Sequence, residues 1–279
     1  MKIGIVGLGL IGGSLGMDLK AMGDHYLLGV SRRETTCQQA VERGIMDESS
    51  PELAILATAD IIFLCTPLAA LRPTVEQLVP HLSPRTILTD VGSVKASVVN
   101  ELAPLWPNFV GGHPMAGTAE SGLDAAQSNL FVDRVYALTP TERTPQDAVD
   151  VVAGIARSLQ SNVIHCRPEE HDRAVALISH LPVMVSASLI AACTANENEA
   201  VRTLAQTLAS TGFKDTSRVG GGNPELGVMM ARYNKEAVLR SLSAYRQQLD
   251  RITQCIEASD WAGLEAVLQQ TQGDRPKFL

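Results

Sequence analysis

The sequence predicts an α/β fold: a doubly wound parallel sheet with helices on both faces, followed by an all-helical second half. Short apolar runs alternate with helical spacings through the first 166 residues, the order a parallel sheet requires. A glycine-rich turn, Gly7-Leu8-Gly9-Leu10-Ile11-Gly12, separates the first apolar run from the first helical pattern. Beyond Cys166 the strand signal stops, and Ala, Leu, Met and Gln recur at helical spacing.

Taken in order, the strand runs are 2–6 (KIGIV), 26–30 (YLLGV), 60–65 (DIIFLC), 86–90 (TILTD), 108–112 (NFVGG), 135–139 (VYALT) and 162–166 (NVIHC). Helical patterns at 10–22, 34–43, 69–81, 94–103 and 146–159 lie between them. The second half reads as helices over 168–195, 199–210, 224–258 and 260–270. Arg167-Pro168 can open that half, which divides the chain into a nucleotide-binding domain, 1–166, and a helical domain, 167–279. A chain of 279 residues is near the limit for one hydrophobic core, consistent with two domains. It contains no internal repeat.

Composition excludes several classes. A net charge of −7 without a basic block argues against nucleic-acid binding. Cys37, Cys65, Cys166, Cys193 and Cys255 form no CxxC pair, so neither a metal site nor a disulfide framework is expected. Reduced thiols fit a cytoplasmic protein. Met1-Lys2-Ile3 runs straight into the first strand, leaving no room for a leader. The most membrane-like segment, Val183 to Ala195, falls short of the roughly 20 residues that span a bilayer. An apolar helix of this kind must be buried, either within the subunit or against a second copy. A homodimer through the helical half is the expectation.

The glycine turn fits G-x-G-x-x-G in the context that gives this pattern meaning, between a strand and a helix. Gly7 permits the turn, Gly9 lets a pyrophosphate approach the backbone, and Gly12 lets helix and strand pack closely. Amides at the start of the helix, from Leu10 and Ile11 onward, face the phosphates. This is the Rossmann-type site of a nicotinamide dinucleotide. NAD sites place an acid at the end of the second strand, about 20 residues on, to hold the ribose 2′-hydroxyl. Here that strand ends in Ser31-Arg32-Arg33, and Asp24 sits before it, in the turn. Arg32 offers a planar cationic fork for a 2′-phosphate, and Ser31, Thr35 and Thr36 offer hydroxyls. The expected cofactor is therefore NADP. Thr66-Pro67 ends the third strand run on the same edge and lines the crevice.

Two further residues stand just past strand ends: Ser93 in TDVGSVK and His113 in GGHPMAGT. Ligands of doubly wound sheets bind at that edge. A histidine there suits oxidation of an alcohol, because the hydroxyl must lose a proton as hydride leaves. A serine can orient both hydroxyl and imidazole. His25, His81, His165, His171 and His180 lack this setting, and His171 reads as part of a helix start.

Together VGLGLIGGS, TDVGSVK, GGHPMAGT, SHLPVMVSA and GFKDTSRVGGGNPELG resemble the prephenate/arogenate dehydrogenases of tyrosine biosynthesis, over essentially the whole chain. The compact chain is most similar to the cyanobacterial NADP-dependent arogenate dehydrogenases. The resemblance implies oxidative decarboxylation of a cyclohexadienol small-molecule substrate. It makes His113 the acceptor of the C4 hydroxyl proton, Ser93 the residue that holds hydroxyl and imidazole, and Arg218 the clamp on a substrate carboxylate. Two positions depart from some members: Ala119, with Glu120 next, stands where they carry Glu, and Val183 where they carry His. These departures count against prephenate recognition without naming a contact that reads the substrate side chain; the resemblance itself favours arogenate, with a prephenate or broader cyclohexadienyl dehydrogenase as the alternative. A β-hydroxyacid dehydrogenase would use a lysine of the helical half, but Lys214, Lys235 and Lys277 lie in no such setting. A non-enzymatic NADP sensor would need neither Ser93 nor His113.

Overall fold

The structure is a computed structural model that describes residues 1–118 and 120–278. Its first part is one eight-stranded sheet: β1 (Lys2–Val6), β2 (Tyr26–Val30), β3 (Glu48–Ser50), β4 (Ile61–Leu64), β5 (Ile87–Asp90), β6 (Phe109–Pro114), β7 (Val135–Thr139) and β8 (Asn162–His165). The strands lie in the order β3-β2-β1-β4-β5-β6-β7-β8. β1 lies between β2 and β4, so the strand order reverses there and opens a crevice at the carboxyl ends.

Helices α1 (Leu10–Ala21), α2 (Glu34–Glu42), α3 (Leu68–Leu78), α4 (Ala96–Leu102) and α5 (Gln146–Ser158) cover the two faces. One buried cluster joins Ile3, Ile5 and Phe63 to Leu15 and Leu19 of α1 and Val149 and Val152 of α5. The other joins Val6, Ile62 and Leu88 to Leu71 and Val75 of α3 and Val98 of α4. Both faces are dry, which is why the strands are apolar without alternation.

The sheet is mostly parallel, as the sequence predicts, with one antiparallel pair. β7 runs antiparallel to β6, pairing His113 with Ala137, and β8 then runs parallel to β7. Among the described residues no helix crosses over between β6 and β7; the link holds only a single turn at Leu123–Ala125. Without a crossover the returning strand must run the opposite way. β3 was not legible either, being three residues of Glu-Ser-Ser.

From Pro168 the chain is helical: α6 (Pro168–Val175), a π-helical turn (Ala176–His180), α7 (Leu181–Thr194), α8 (Glu199–Leu208), α9 (Thr211–Ser217), a tight turn (Arg218–Gly221), α10 (Pro224–Tyr233), α11 (Lys235–Glu257) and α12 (Trp261–Asp274). The expected helix over 224–258 is two, because Asn234 leaves helical geometry at φ −121°, ψ 33°. α6, the π turn and α7 run on as one helix of 27 residues, Pro168–Thr194. By length and composition that helix could cross a bilayer, contrary to the shortfall expected from residues 183–195 alone. Its inner face is tied into the fold instead. His180 contacts Asn234, and Ser186 accepts the Gly220 amide at 2.8 Å.

Candidate active site

The glycine turn is built as its residues require. Gly7 has φ 98°, and a Cβ there would lie 2.7 Å from the Cys65 carbonyl oxygen. A Cβ on Gly12 would lie 2.1 Å from the Gly7 carbonyl oxygen. A Cβ on Gly9 would meet nothing within 4 Å, so the turn presents bare backbone to an open space. α1 starts at Leu10, and the first bond inside it runs from the Gly13 amide to the Gly9 carbonyl at 2.8 Å. The amides of Leu10, Ile11 and Gly12 are thus left without acceptors inside the helix, as a helix N-terminus leaves them.

The Gly7 amide donates to the Val30 carbonyl at 2.8 Å, which sets Ser31 beside the turn. Ser31 and Thr36 are half-buried, while Arg32, Arg33 and Thr35 are exposed. Among the described residues Arg32 forms no ion pair. Thr66 follows β4, with its amide 3.0 Å from the Cβ position of Gly7, and its buried hydroxyl has no partner among the described residues. Pro67 caps α3. Free helix amides, an open approach at Gly9, an orphaned hydroxyl and an unpaired guanidinium all fit a dinucleotide.

At the next strand ends a buried polar network organises the loop that carries Ser93. Asp90 ends β5 and is fully buried with Lys95, whose ammonium it pairs. Asp90 also accepts the Gly92 amide at 2.8 Å and the Gly112 amide at 3.1 Å. Lys95 donates to the Gly112 carbonyl at 2.7 Å. A buried charge pair is tolerable only when its remaining hydrogen-bonding capacity is met, and these bonds meet it. They clamp both peptide groups of Gly112, the residue before His113. Ser93 is half-buried in this loop, and its hydroxyl bonds no described residue.

His113 is itself 8% exposed. Burial holds its imidazole well below the usual histidine range, reinforced by His171, Lys95 and His180 nearby. A neutral ring at neutral pH can accept a proton. Its Nδ1 lies 2.8 Å from Nε2 of His171, with the rings edge to face at 68° and centroids 5.0 Å apart. His171 Nδ1 in turn lies 2.8 Å from Asp172 Oδ1. Asp172 accepts the Lys95 amide at 2.7 Å and the Ala96 amide at 2.9 Å, and so caps α4 from the helical half. Asn234 donates to the Asp172 carbonyl at 2.8 Å and reaches His180 Nδ1 at 3.2 Å. Burial pushes the His180 imidazole down to about 4.

His171, Asp172, Asp90, Lys95 and Asn234 were not singled out from the sequence. The expectation that His171 belongs to a helix start is correct for its backbone and misses its partner. Asp90 and Lys95 were visible inside TDVGSVK as opposite charges five positions apart. Nothing local marks His171, which meets His113 across 58 residues of chain, or Asp172 behind it.

Arg218 opens the turn Arg218–Gly221, which presses on α7 so closely that a Cβ on Gly220 would lie 2.3 Å from the Ala187 amide nitrogen. The side chain is exposed and forms no ion pair among the described residues. Val183 sits half-buried on α7, 3.8 Å from the Cβ position of Gly227. Ala119 lies outside the described residues.

The description "Prephenate dehydrogenase, nucleotide-binding domain" matches residues 15–165, and "Prephenate dehydrogenase, dimerization domain" matches residues 167–270. The prephenate dehydrogenase of Bacillus subtilis is 30% identical over 264 residues, covering 92% of this chain and 70% of that protein. Among solved structures, Synechocystis arogenate dehydrogenase shares 54% identity over the whole of both chains, with a TM-score of 0.92. Prephenate dehydrogenase from Aquifex aeolicus, in complex with hydroxyphenyl propionate and NAD+, is 28% identical with a TM-score of 0.94, covering 100% of this chain and 98% of that one.

Proposed function

The chain belongs to the prephenate dehydrogenase family, and from that premise we propose that it converts arogenate to tyrosine with NADP as hydride acceptor. The observation that carries the chemistry is His113: a buried, neutral imidazole on the sheet edge that also bears the glycine turn. His113 Nε2 takes the C4 hydroxyl proton. Ser93, on the loop clamped by Asp90 and Lys95, orients that hydroxyl. Arg218 binds a substrate carboxylate as a bidentate fork. When bound, the nicotinamide supplies the hydride acceptor at C4. The bond from C1 to its carboxylate breaks, carbon dioxide leaves, and the electron pair completes the aromatic ring.

NADP rests on this chain's own residues, since the Aquifex relative is described with NAD+. Ser31 and the exposed Arg32 follow β2, where an NAD site puts its acid, and the half-buried Thr36 lies on the helix that comes next. Arogenate rests on the 54% identity to an arogenate dehydrogenase over the whole of both chains. We further read residues 1–166 as the nucleotide domain and 167–279 as a helical domain that pairs with a second copy, in the cytoplasm.

Initial rates on arogenate and prephenate, each with NADP and NAD, test this reading. Activity confined to arogenate with NADP is expected. Comparable rates on prephenate would make the protein a cyclohexadienyl dehydrogenase. A preference for NAD would reduce Arg32 and Arg33 to surface charges.

A further inference from the structure

Asp172 fixes the protons of two rings in series. Its Oδ1 lies 2.8 Å from His171 Nδ1, and an ionised carboxylate only accepts, so that nitrogen carries the proton. With Nδ1–H given to Asp172, His171 offers Nε2 as the acceptor, 2.8 Å from His113 Nδ1. His113 must therefore donate from Nδ1, which leaves its own lone pair on Nε2. Asp172 cannot turn away from this task, because the Lys95 and Ala96 amides hold its two oxygens at 2.7 and 2.9 Å. A second route runs from the same anchor. Lys95, whose amide Asp172 holds, uses its side chain to hold the Gly112 carbonyl at 2.7 Å, next to His113.

We propose that His171 and Asp172 are positioning residues for His113: acting from the helical half, they hold its proton on Nδ1 and keep Nε2 open as the base. This rests on reading His113 as the proton acceptor. In the step itself the substrate O–H bond breaks and an Nε2–H bond forms. The imidazolium so made keeps Nδ1–H on His171 and has the Asp172 carboxylate one ring farther back to balance its charge. Without the pair, His113 is free to take the other tautomer, whose protonated Nε2 cannot accept. The base therefore works only while α6 is docked on α4.

Three variants of the full-length protein separate the possibilities: His171→Leu, His171→Gln and His113→Asn. The measurements are kcat and KM with NADP, NADP affinity by calorimetry, melting temperature, and ¹⁵N shifts of labelled histidine, with His113 assigned by its loss in His113→Asn. His171→Leu should lower kcat by about 10²–10⁴-fold, the range for a positioned acid–base group. KM and NADP affinity should stay near wild type, and the His113 proton should leave Nδ1. His171→Gln retains an acceptor for Nδ1–H and should recover about tenfold in kcat, the worth of one hydrogen bond. The proposal is overturned if His171→Leu keeps wild-type kcat while His113→Asn is inactive. It is equally overturned if both His171 variants lose the same kcat in step with melting temperature while His113 keeps its tautomer. If His113→Asn itself turns over normally, the base assignment fails instead.

Discussion

Leu15, Phe63 and Tyr136 are sealed inside the first half of this chain, whereas Leu204, Leu208, Val228 and Ile178 lie open on the second. The sheet and its helices build two dry layers from their own residues. Among the described residues the helical half's own cluster is small: Ala176, Ala237 and Val238 are buried, with Met184 and Leu242 packed against them. Exposed apolar side chains that join into a contiguous patch mark interaction surfaces. The contrast teaches a division of labour. One half is complete and carries the cofactor turn, Ser93 and His113. The other sets His171 and Asp172 behind His113 and leaves many of its own apolar side chains exposed.

The sharpest way to probe the first half is His113→Asn. Turnover should fall by about 10²–10⁴-fold with NADP affinity intact. Unchanged turnover in a stopped-flow assay would remove the base from this half altogether. Arg218→Leu probes the second half, and should lower kcat/KM for arogenate about 10–100-fold by losing charged hydrogen bonds to a carboxylate. NADP affinity should not move; if it does, Arg218 belongs to the cofactor site. Arg32→Ala should raise KM for NADP about tenfold and leave KM for NAD alone. Equal effects on both cofactors would mean that Arg32 does not read the phosphate.

The smallest effect concerns the seam between the halves. Burial lowers His180 from its ordinary 6.5 to about 4 in the folded state. Between those values the unfolded chain binds more protons than the folded one, so stability is lost as pH falls through that window. His113, also held low by burial, acts in the same direction. The melting temperature of wild type relative to His180→Asn should therefore be highest above pH 6.5 and shrink toward pH 4. A difference independent of pH would mean His180 is not held neutral.

The comparison also explains what could be read from the sequence. Strands covered on both faces are continuous apolar runs, and each one with such a run was legible. β3 escaped because Glu48-Ser49-Ser50 has no apolar signal. The direction of β7 escaped because it depends on the missing crossover, not on VYALT itself. At the site, Gly7, Gly9, Gly12, Ser31, Thr66 and Ser93 could be proposed from the sequence because each follows a strand that the apolar pattern locates; His113, expected just past a strand end, instead lies inside β6 at its next-to-last residue. His171, Asp172 and Asn234 were not, because their roles exist only once the helical half is docked. The break at Asn234 is of the same kind: its side chain leaves the helix to serve Asp172.

Sedimentation velocity tests the division of labour most directly, run on wild type and on a Leu204→Glu/Val228→Glu variant alongside NADP binding. The account predicts a dimeric wild type. The variant should dissociate and lose turnover while its first half still binds NADP with unchanged affinity. A wild type that sediments as a fully active monomer would contradict it.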